Sequence, residues 1–291
     1  MKKTILILLP VAVAGLAWFL AKAFAGSVEV PKGIPIGNIE IRFYGIILAA
    51  SALIGYMVCR KYSQSFGLTP KSFDDLAFFT IIFGFLGARL YTVAFDFGYY
   101  RLNPQEIFKV WHGGLSIFGA LLGGLLYLRI WAGKDNQLFK KIIDLACLGI
   151  PLAQAFGRFG NFFNHEAFGL PTNLPWKMFV PLNDRPLQFQ GFEFFHPTFL
   201  YESLLLLLVF FLLLWVKNKV KPGVLAFLYL GGYSLIRFFI EPLRLDSIFI
   251  GGYKADQVVA IAVLLISGIM IIRWQLIGEP LASPSEVEKT G

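Results

Sequence analysis

TFLYESLLLLLVFFLLLWV, residues Thr198–Val216, runs directly into the basic residues Lys217, Lys219 and Lys221. A hydrocarbon crossing needs about 20 predominantly apolar residues, so the stretch predicts a membrane-spanning helix. Lysines crowd the cytoplasmic side of such helices, which places its C-terminal end inside. The whole chain shares this character: of its 291 residues 57% are hydrophobic and only 15% are charged, at a mean hydropathy of +0.67. A soluble domain carries about 25% charged residues. Composition therefore predicts an all-α, polytopic integral membrane protein with the lipid bilayer as its first partner. The net charge of +8 does not point to nucleic acid, because the basic residues form short clusters between apolar runs, as cytoplasmic loops do.

Extended outward from Thr198–Val216, the same reading predicts seven core spans. They are Ile41–Cys59, Asp74 or Asp75 to about Phe95, Gly114–Trp131, about Ile142–Phe156, Thr198–Val216, Val224 to about Leu243, and Asp256–Arg273. Arg60, Lys61 and Lys71, then Lys134, Lys140 and Lys141, mark further cytoplasmic loops, and the polar C-terminus returns to the cytoplasm. Gly114–Trp131 is glycine-rich, and its small residues let neighbouring helices approach closely. The fourth span is short for a crossing, so the polar stretch that follows completes its helix.

Ahead of the core lies an extra N-terminal segment. Met1-Lys2-Lys3, the apolar run Thr4–Ala21 and the tripeptide Ala23-Phe24-Ala25 form a signal-like pattern. The run exceeds the about 7 to 15 residues of a usual signal core, which favours an uncleaved anchor over a cleaved signal. The organisation is thus 1–26 signal-like or anchor segment, 27–275 membrane-embedded domain with an external loop at 170–197, and 276–291 polar tail. Cys59 and Cys147 each sit inside an apolar run without metal or redox spacing. They read as core residues, and no metal or cofactor is expected.

Polar residues are rare enough to stand out. GRFGNFFNHEAFG, Gly157–Gly169, packs Arg158, Asn161, Asn164, His165 and Glu166 among glycines at a helix end. Asn161 and Asn164, three apart, can point into one cavity, where amides donate to a phosphate or an ester carbonyl, or else satisfy backbone at a buried bend. Glu166 reads as a base, as a partner for Arg158, or as both. In the sixth span Tyr233, Arg237 and Glu241 are spaced by four and share one helix face, with Arg244 at the outer end. An arginine at a helix centre costs about 2.5 to 3.5 kcal/mol, so Arg237 needs a partner, and Glu241 is the obvious one. The pair either glues helices together or serves a site. Arg158 and Arg89 lie near the outer ends of other spans, and several arginines at one depth suit an anion, since guanidinium groups grip phosphate with forked hydrogen bonds. Arg89 by itself reads better as snorkelling to the interface.

These residues closely resemble a known family, the prolipoprotein diacylglyceryl transferases, whose diagnostic pattern runs G-R-x-G-N-F-x-N-x-E-x-x-G. The resemblance continues, in the family's order, through RFYG (Arg42–Gly45), GAR (Gly87–Arg89), WHGGLSIFG (Trp111–Gly119), HPTFLYE (His196–Glu202) and YSLIRFFIEPLR (Tyr233–Arg244), covering roughly Ile41–Arg273. It implies an enzyme of the bacterial cytoplasmic membrane with its motifs toward the outer leaflet and no cofactor. Such an enzyme transfers the diacylglyceryl group of phosphatidylglycerol to the lipobox cysteine of a preprolipoprotein and releases glycerol-1-phosphate. By the same resemblance Arg158, Arg237, Glu241, Glu166 and Tyr44 are expected in catalysis. Arg158, Asn161, Asn164, Gly169, Tyr233, Arg237 and Arg244 are expected to hold phosphatidylglycerol.

The sequence departs from the family at one point: where the family often carries a histidine that is a candidate base, this chain has Phe118. His112 is the nearest histidine in the block, on another face if the segment is helical. Glu166, Glu241, His165 and His196 remain as candidate bases, and the base is unassigned at this level. Two other readings compete: a transporter for an anionic solute or lipid, and an inactive lipid-binding relative. Transporters commonly show internal repeats, and neither the Arg-x-x-x-Glu pair nor the glycine-asparagine block recurs.

Overall fold

The computed structural model describes residues 14, 15, 17–37, 39–245 and 247–277. Residues 17–24 are helical; the basic start, most of the Thr4–Ala21 run and the tail from 278 lie outside the described residues. Seven longer helices follow, named here α1 (Phe43–Tyr62), α2 (Pro70–Phe95), α3 (Ile117–Ala132), α4 (Asn136–Phe163), α5 (Thr198–Val216), α6 (Val224–Ile240) and α7 (Ala255–Ile277). Six segments among the described residues are long and apolar enough to cross a membrane: Phe43–Phe66, Pro70–Phe95, Asn136–Phe163, Thr198–Val216, Val224–Leu243 and Ala255–Gln275. The protein is therefore a predominantly helical, polytopic membrane protein.

The expected count of seven crossings is not reached by length alone. Helix α3 has only 16 residues, about 24 Å at 1.5 Å per residue, short of the roughly 30 Å of hydrocarbon. The predicted start at Gly114 fails because Gly113 and Gly114 adopt φ of 91° and 75°, a left-handed backbone that cannot lead into a helix. The helix begins instead after Ser116, whose hydroxyl faces the Gly119 amide, and it stops at Gly133 with φ 58°. Helix α4 errs the other way. The Asp135 carboxylate accepts from the amides of Gln137 and Leu138, both at 2.9 Å, an N-cap that starts the helix six residues before the expected Ile142. It continues through Pro151 to Phe163 and so absorbs the first half of the polar stretch.

The chain is mostly helical, with short strands between the helices. Among the described residues three antiparallel hairpins lie between the helices: β1 (Gly33–Ile36) with β2 (Ile39–Arg42), β3 (Met178–Phe179) with β4 (Phe194–Phe195), and β5 (Phe249–Ile250) with β6 (Tyr253–Lys254). The last turns at Gly251 and Gly252, with φ of 58° and 85°, values that favour glycine at both central positions of a tight hairpin.

The chain divides into two compact units, one of residues up to Gly55, Ile150–Leu213 and Leu228–Ile269, the other of Tyr56–Gly149, Leu214–Phe227 and residues from Met270. In the first unit Phe162, Phe168, Phe195 and Phe199 form an aromatic core with Ala23, Val30, Met178 and Val180. A second cluster joins Ala155, Leu206, Ile236 and Ile240. In the other unit α2 and α3 touch through glycines. A Cβ on Gly123 would stand 3.0 Å from the Gly87 Cα, and one on Gly119 would stand 2.9 Å from the Ala88 Cα, which is the close approach expected from the small residues.

Arg89 belongs to this second unit, and its reading as a snorkelling arginine is overturned. It is buried, and its guanidinium donates to the carbonyls of Ile107 (2.9 Å), Gly113 (2.7 Å), Gly114 (2.9 Å) and Glu106, with the ring of Tyr100 stacked over it. Four hydrogen bonds from this one guanidinium hold the 106–114 segment. Cys59 and Cys147 are free and buried, as core residues should be.

Candidate active site

The second half of the polar stretch reverses direction as soon as α4 ends. His165 and Ala167 both take positive φ, 55° and 52°, uncommon for residues with a Cβ. The bend turns Glu166 back toward the helix, where its amide donates to the Asn161 carbonyl at 3.0 Å. The side-chain amides of Asn161 and Asn164 each donate to a Glu166 carboxylate oxygen at 2.8 Å. The two asparagines thus converge as their spacing predicted, but on Glu166. Glu166 in turn is not the partner of Arg158.

That partner is Glu202, in the first turns of α5, whose side chain is completely buried. One carboxylate oxygen meets Arg158. The other receives Arg244 Nη1 at 3.0 Å and lies 3.6 Å from Arg237 Nη1. Glu241 is also buried, and one of its oxygens stands 2.8 Å from Arg237 Nη2 and 3.7 Å from Arg244 Nε. The Arg237–Glu241 pair expected from the four-residue spacing is present. Arg237 makes a further ion pair with Asp256, in the first turn of α7. Three guanidinium groups and three carboxylates therefore form one network, in which no buried charge is left without an opposite one, as a low-dielectric site requires.

The arginines face open space on one side. A cavity of about 430 Å³ is bounded by Arg158, Tyr233, Arg237, Arg244 and Asp256, with Leu230, Val259 and Val263 supplying apolar wall. Cations and an aromatic hydroxyl at one end and aliphatic surface at the other suit an amphiphilic anion. Tyr233 stacks with Tyr229 at 6.3 Å between ring centroids. Asn161 and Asn164 are not among the residues bounding this cavity.

Two glycines shape the backbone around the network. Gly160 makes room for Tyr44: a Cβ there would lie 2.9 Å from the tyrosine ring, so Tyr44 packs on α4 at this glycine. At Gly169 a Cβ would lie 2.7 Å from the Leu243 carbonyl, 2.8 Å from the Thr198 methyl and 3.0 Å from the His196 Cβ. The Gly169 strand segment pairs with Arg244, and the Leu170 amide donates to the Leu243 carbonyl at 2.8 Å. Gly169 thereby ties the bend after α4 to the turn that carries Glu241 and Arg244.

The expected histidines are occupied elsewhere. His165 holds Asp184 through Nδ1 at 2.8 Å and the Val30 carbonyl through Nε2 at 2.9 Å, while Lys32 reaches Asp184 at 2.5 Å. Burial works against the Asp184 charge, but Lys32 and His165 outweigh it and hold the carboxyl below its usual range. His196 hydrogen-bonds the Tyr201 hydroxyl at 3.2 Å, and burial lowers its basicity. His112, in the other unit, pairs with Glu106, whose acidity Lys109 and then His112 increase.

Sequence reasoning missed Glu202 and Asp256 as members of the site. Glu202 carried a signal, a carboxylate inside an otherwise apolar span, and such a residue calls for an arginine partner. Asp256 carried none, because an acid in the first turn of a helix is adequately explained by the helix dipole.

The fold and site define a polytopic membrane protein with an arginine-rich pocket. The sequence pattern of the prolipoprotein diacylglyceryl transferases matches residues 31–274, and the chain belongs to that family. It is 44% identical over 262 residues to the phosphatidylglycerol--prolipoprotein diacylglyceryl transferase of Thermotoga petrophila, covering 88% of this chain and 89% of that one. Proteins of the same name from Fervidobacterium nodosum and a Synechocystis species are 45% and 38% identical, over 90% and 92% of this chain and 91% and 98% of theirs.

Proposed function

We propose that this chain transfers the diacylglyceryl group of phosphatidylglycerol to the thiol of the lipobox cysteine in a preprolipoprotein, releasing glycerol-1-phosphate, the first step of bacterial lipoprotein maturation. Family membership supports the reaction, and the convergence of Arg158, Arg237 and Arg244 on one cavity is the observation that carries it. The phosphodiester sits against the arginines, with its acyl chains along the aliphatic wall. When the substrate thiol attacks the glyceryl carbon, the carbon–oxygen bond breaks and negative charge gathers on the departing phosphate. Arginines already held in place by Glu202 and Glu241 stabilise that charge without reorganising, the kind of contribution that commonly dominates catalysis.

In this reading Arg158 and Arg237 carry the phosphate and Arg244 is a further contact at its edge. Tyr233 lines the lipid site. Tyr44, Asn161, Asn164, Glu166 and Gly169 shape the wall that presents Arg158. The site faces the outer leaflet of the bacterial cytoplasmic membrane, with the lysine-rich loops and C-terminus in the cytoplasm, as their charge distribution supports. The N-terminal segment anchors the chain ahead of a membrane-embedded domain spanning 27–275.

The test is a transfer assay with purified protein, phosphatidylglycerol micelles and a lipobox peptide. Release of glycerol phosphate with lipidation of the peptide is expected, and a peptide with serine in place of its cysteine yields neither. Failure of the cysteine peptide to react rejects the reading.

A further inference from the structure

We infer that Asp256 is the proton acceptor for the incoming thiol. The inference rests on the reaction proposed above. A cysteine thiol has a pKa of about 8.5 and is mostly protonated near neutrality, so its attack is helped by a group that removes the proton. Glu166 accepts from the two asparagine amides, Glu202 and Glu241 are buried against arginines, His165 holds Asp184 and the Val30 carbonyl, and His196 bonds Tyr201; Asp256 is also ion-paired, with Arg237, but its carboxylate is open to the cavity. Among the described residues bounding the 430 Å³ cavity, Asp256 alone is an acid. Its side chain is 52% exposed, against 0% for Glu202 and 1% for Glu241.

The position suits the chemistry. Asp256 pairs with Arg237, one of the two arginines assigned to the phosphate, so a phosphodiester on Arg237 lies beside the Asp256 carboxylate. The thiol that attacks the adjoining glyceryl carbon enters the same cavity. Asp256 sits in the first turn of α7, where its carboxylate borders the cavity. The charged and titratable groups around it are Arg237 in contact, Arg158, Tyr233 and Arg244 on the cavity wall, and Glu241 and Lys254 behind, where Lys254 donates to the Glu241 carbonyl at 2.7 Å. As the sulfur–carbon bond forms, the sulfur proton passes to Asp256, and the carbon–oxygen bond breaks with its electron pair staying on the phosphate oxygen. The proton then moves from Asp256 to that phosphate, which leaves as a monoanion and returns Asp256 to its starting state.

The experiment measures kcat and KM of the full chain in the transfer assay from pH 6 to 9.5. Proton transfer by a positioned group commonly contributes about 10²- to 10⁴-fold, so Asp256→Asn is expected to lose at least about 10²-fold in kcat at pH 7. Its rate should then climb about tenfold per pH unit toward the thiol pKa of about 8.5, a rise that the parent lacks, with KM for phosphatidylglycerol not increased. Asp256→Glu should keep the parental pH profile. Parental kcat in Asp256→Asn, or a reduced kcat without the change in pH dependence, overturns the inference while leaving the transferase reading intact. Absence of transfer by the parent protein rejects that reading instead.

Discussion

Arg244 Nη1 stands 3.0 Å from Glu202 Oε1, on a carboxylate with no solvent exposure that also meets Arg158 and Arg237. One acid therefore sets the positions of arginines from α4, α6 and the turn beyond it. Removing one member of a buried ion network strands the others, at a cost of about 3 to 5 kcal/mol for a typical pair. Glu202→Gln keeps the volume and deletes the charge. It is expected to lower the thermal unfolding midpoint in detergent and to reduce turnover; a variant with the parental midpoint and kcat removes Glu202 from its organising role.

Arg158→Ala and Arg237→Lys test the phosphate site. Lysine keeps the charge at 237 but has no planar fork with which to serve Glu241, Asp256 and a phosphate together. Removing one preorganised donor typically costs about 10²- to 10³-fold in kcat, and losses of that order are expected for each variant in the transfer assay. Activity within a few-fold of the parent in either would exclude that arginine.

Gly169→Ala adds one methyl group where the Leu243 carbonyl, the Thr198 methyl and the His196 Cβ leave no room. Overpacking of this kind costs about 1 to 3 kcal/mol, and here it also pushes the Glu241–Arg244 turn away from α5. Reduced thermal stability together with reduced kcat/KM is expected. A fully stable, inactive variant would point to a direct role of Gly169 with the lipid.

The Lys32–Asp184–His165 cluster predicts a pH effect. Lys32 and His165 hold the folded Asp184 carboxyl below the usual aspartate range. A group depressed by folding contributes stability that is present above the unfolded pKa and lost as pH falls through the folded one. Thermal stability is therefore expected to decline below about pH 4, and Asp184→Asn should flatten that acid limb. An unchanged acid limb in the variant would show that Asp184 does not govern it.

Single helices were legible in the sequence, and so was the close approach at the glycine-rich span, but which charged side chains meet across helices was not. Helix α5 has the expected limits because a long, predominantly apolar run ends in lysines. The start of helix α3 was placed three residues early because Gly114 reads as part of the close-packing glycine run, whereas Gly113 and Gly114 take a positive-φ backbone in the loop that Arg89 clamps. Tyr233, Arg237 and Glu241 were recognisable as one stripe because four-residue spacing is local geometry. The partner of Arg158 was not, because nothing in the spacing says which helix lies opposite, and the nearest acid in sequence, Glu166, is turned away by the positive φ of His165 and Ala167.

The order of the charged residues along the chain also bears on how the protein enters the membrane. Chains are made from the N-terminus, so α4 brings Arg158 to the insertion machinery first and α5 follows with Glu202, its counter-ion. Helix α6 then arrives with Arg237 and Glu241 already one turn apart. Within this network Arg158 is met by its partner in the next helix and Arg237 travels with its own, so neither arginine stays a lone charge in lipid for longer than one helix takes to emerge.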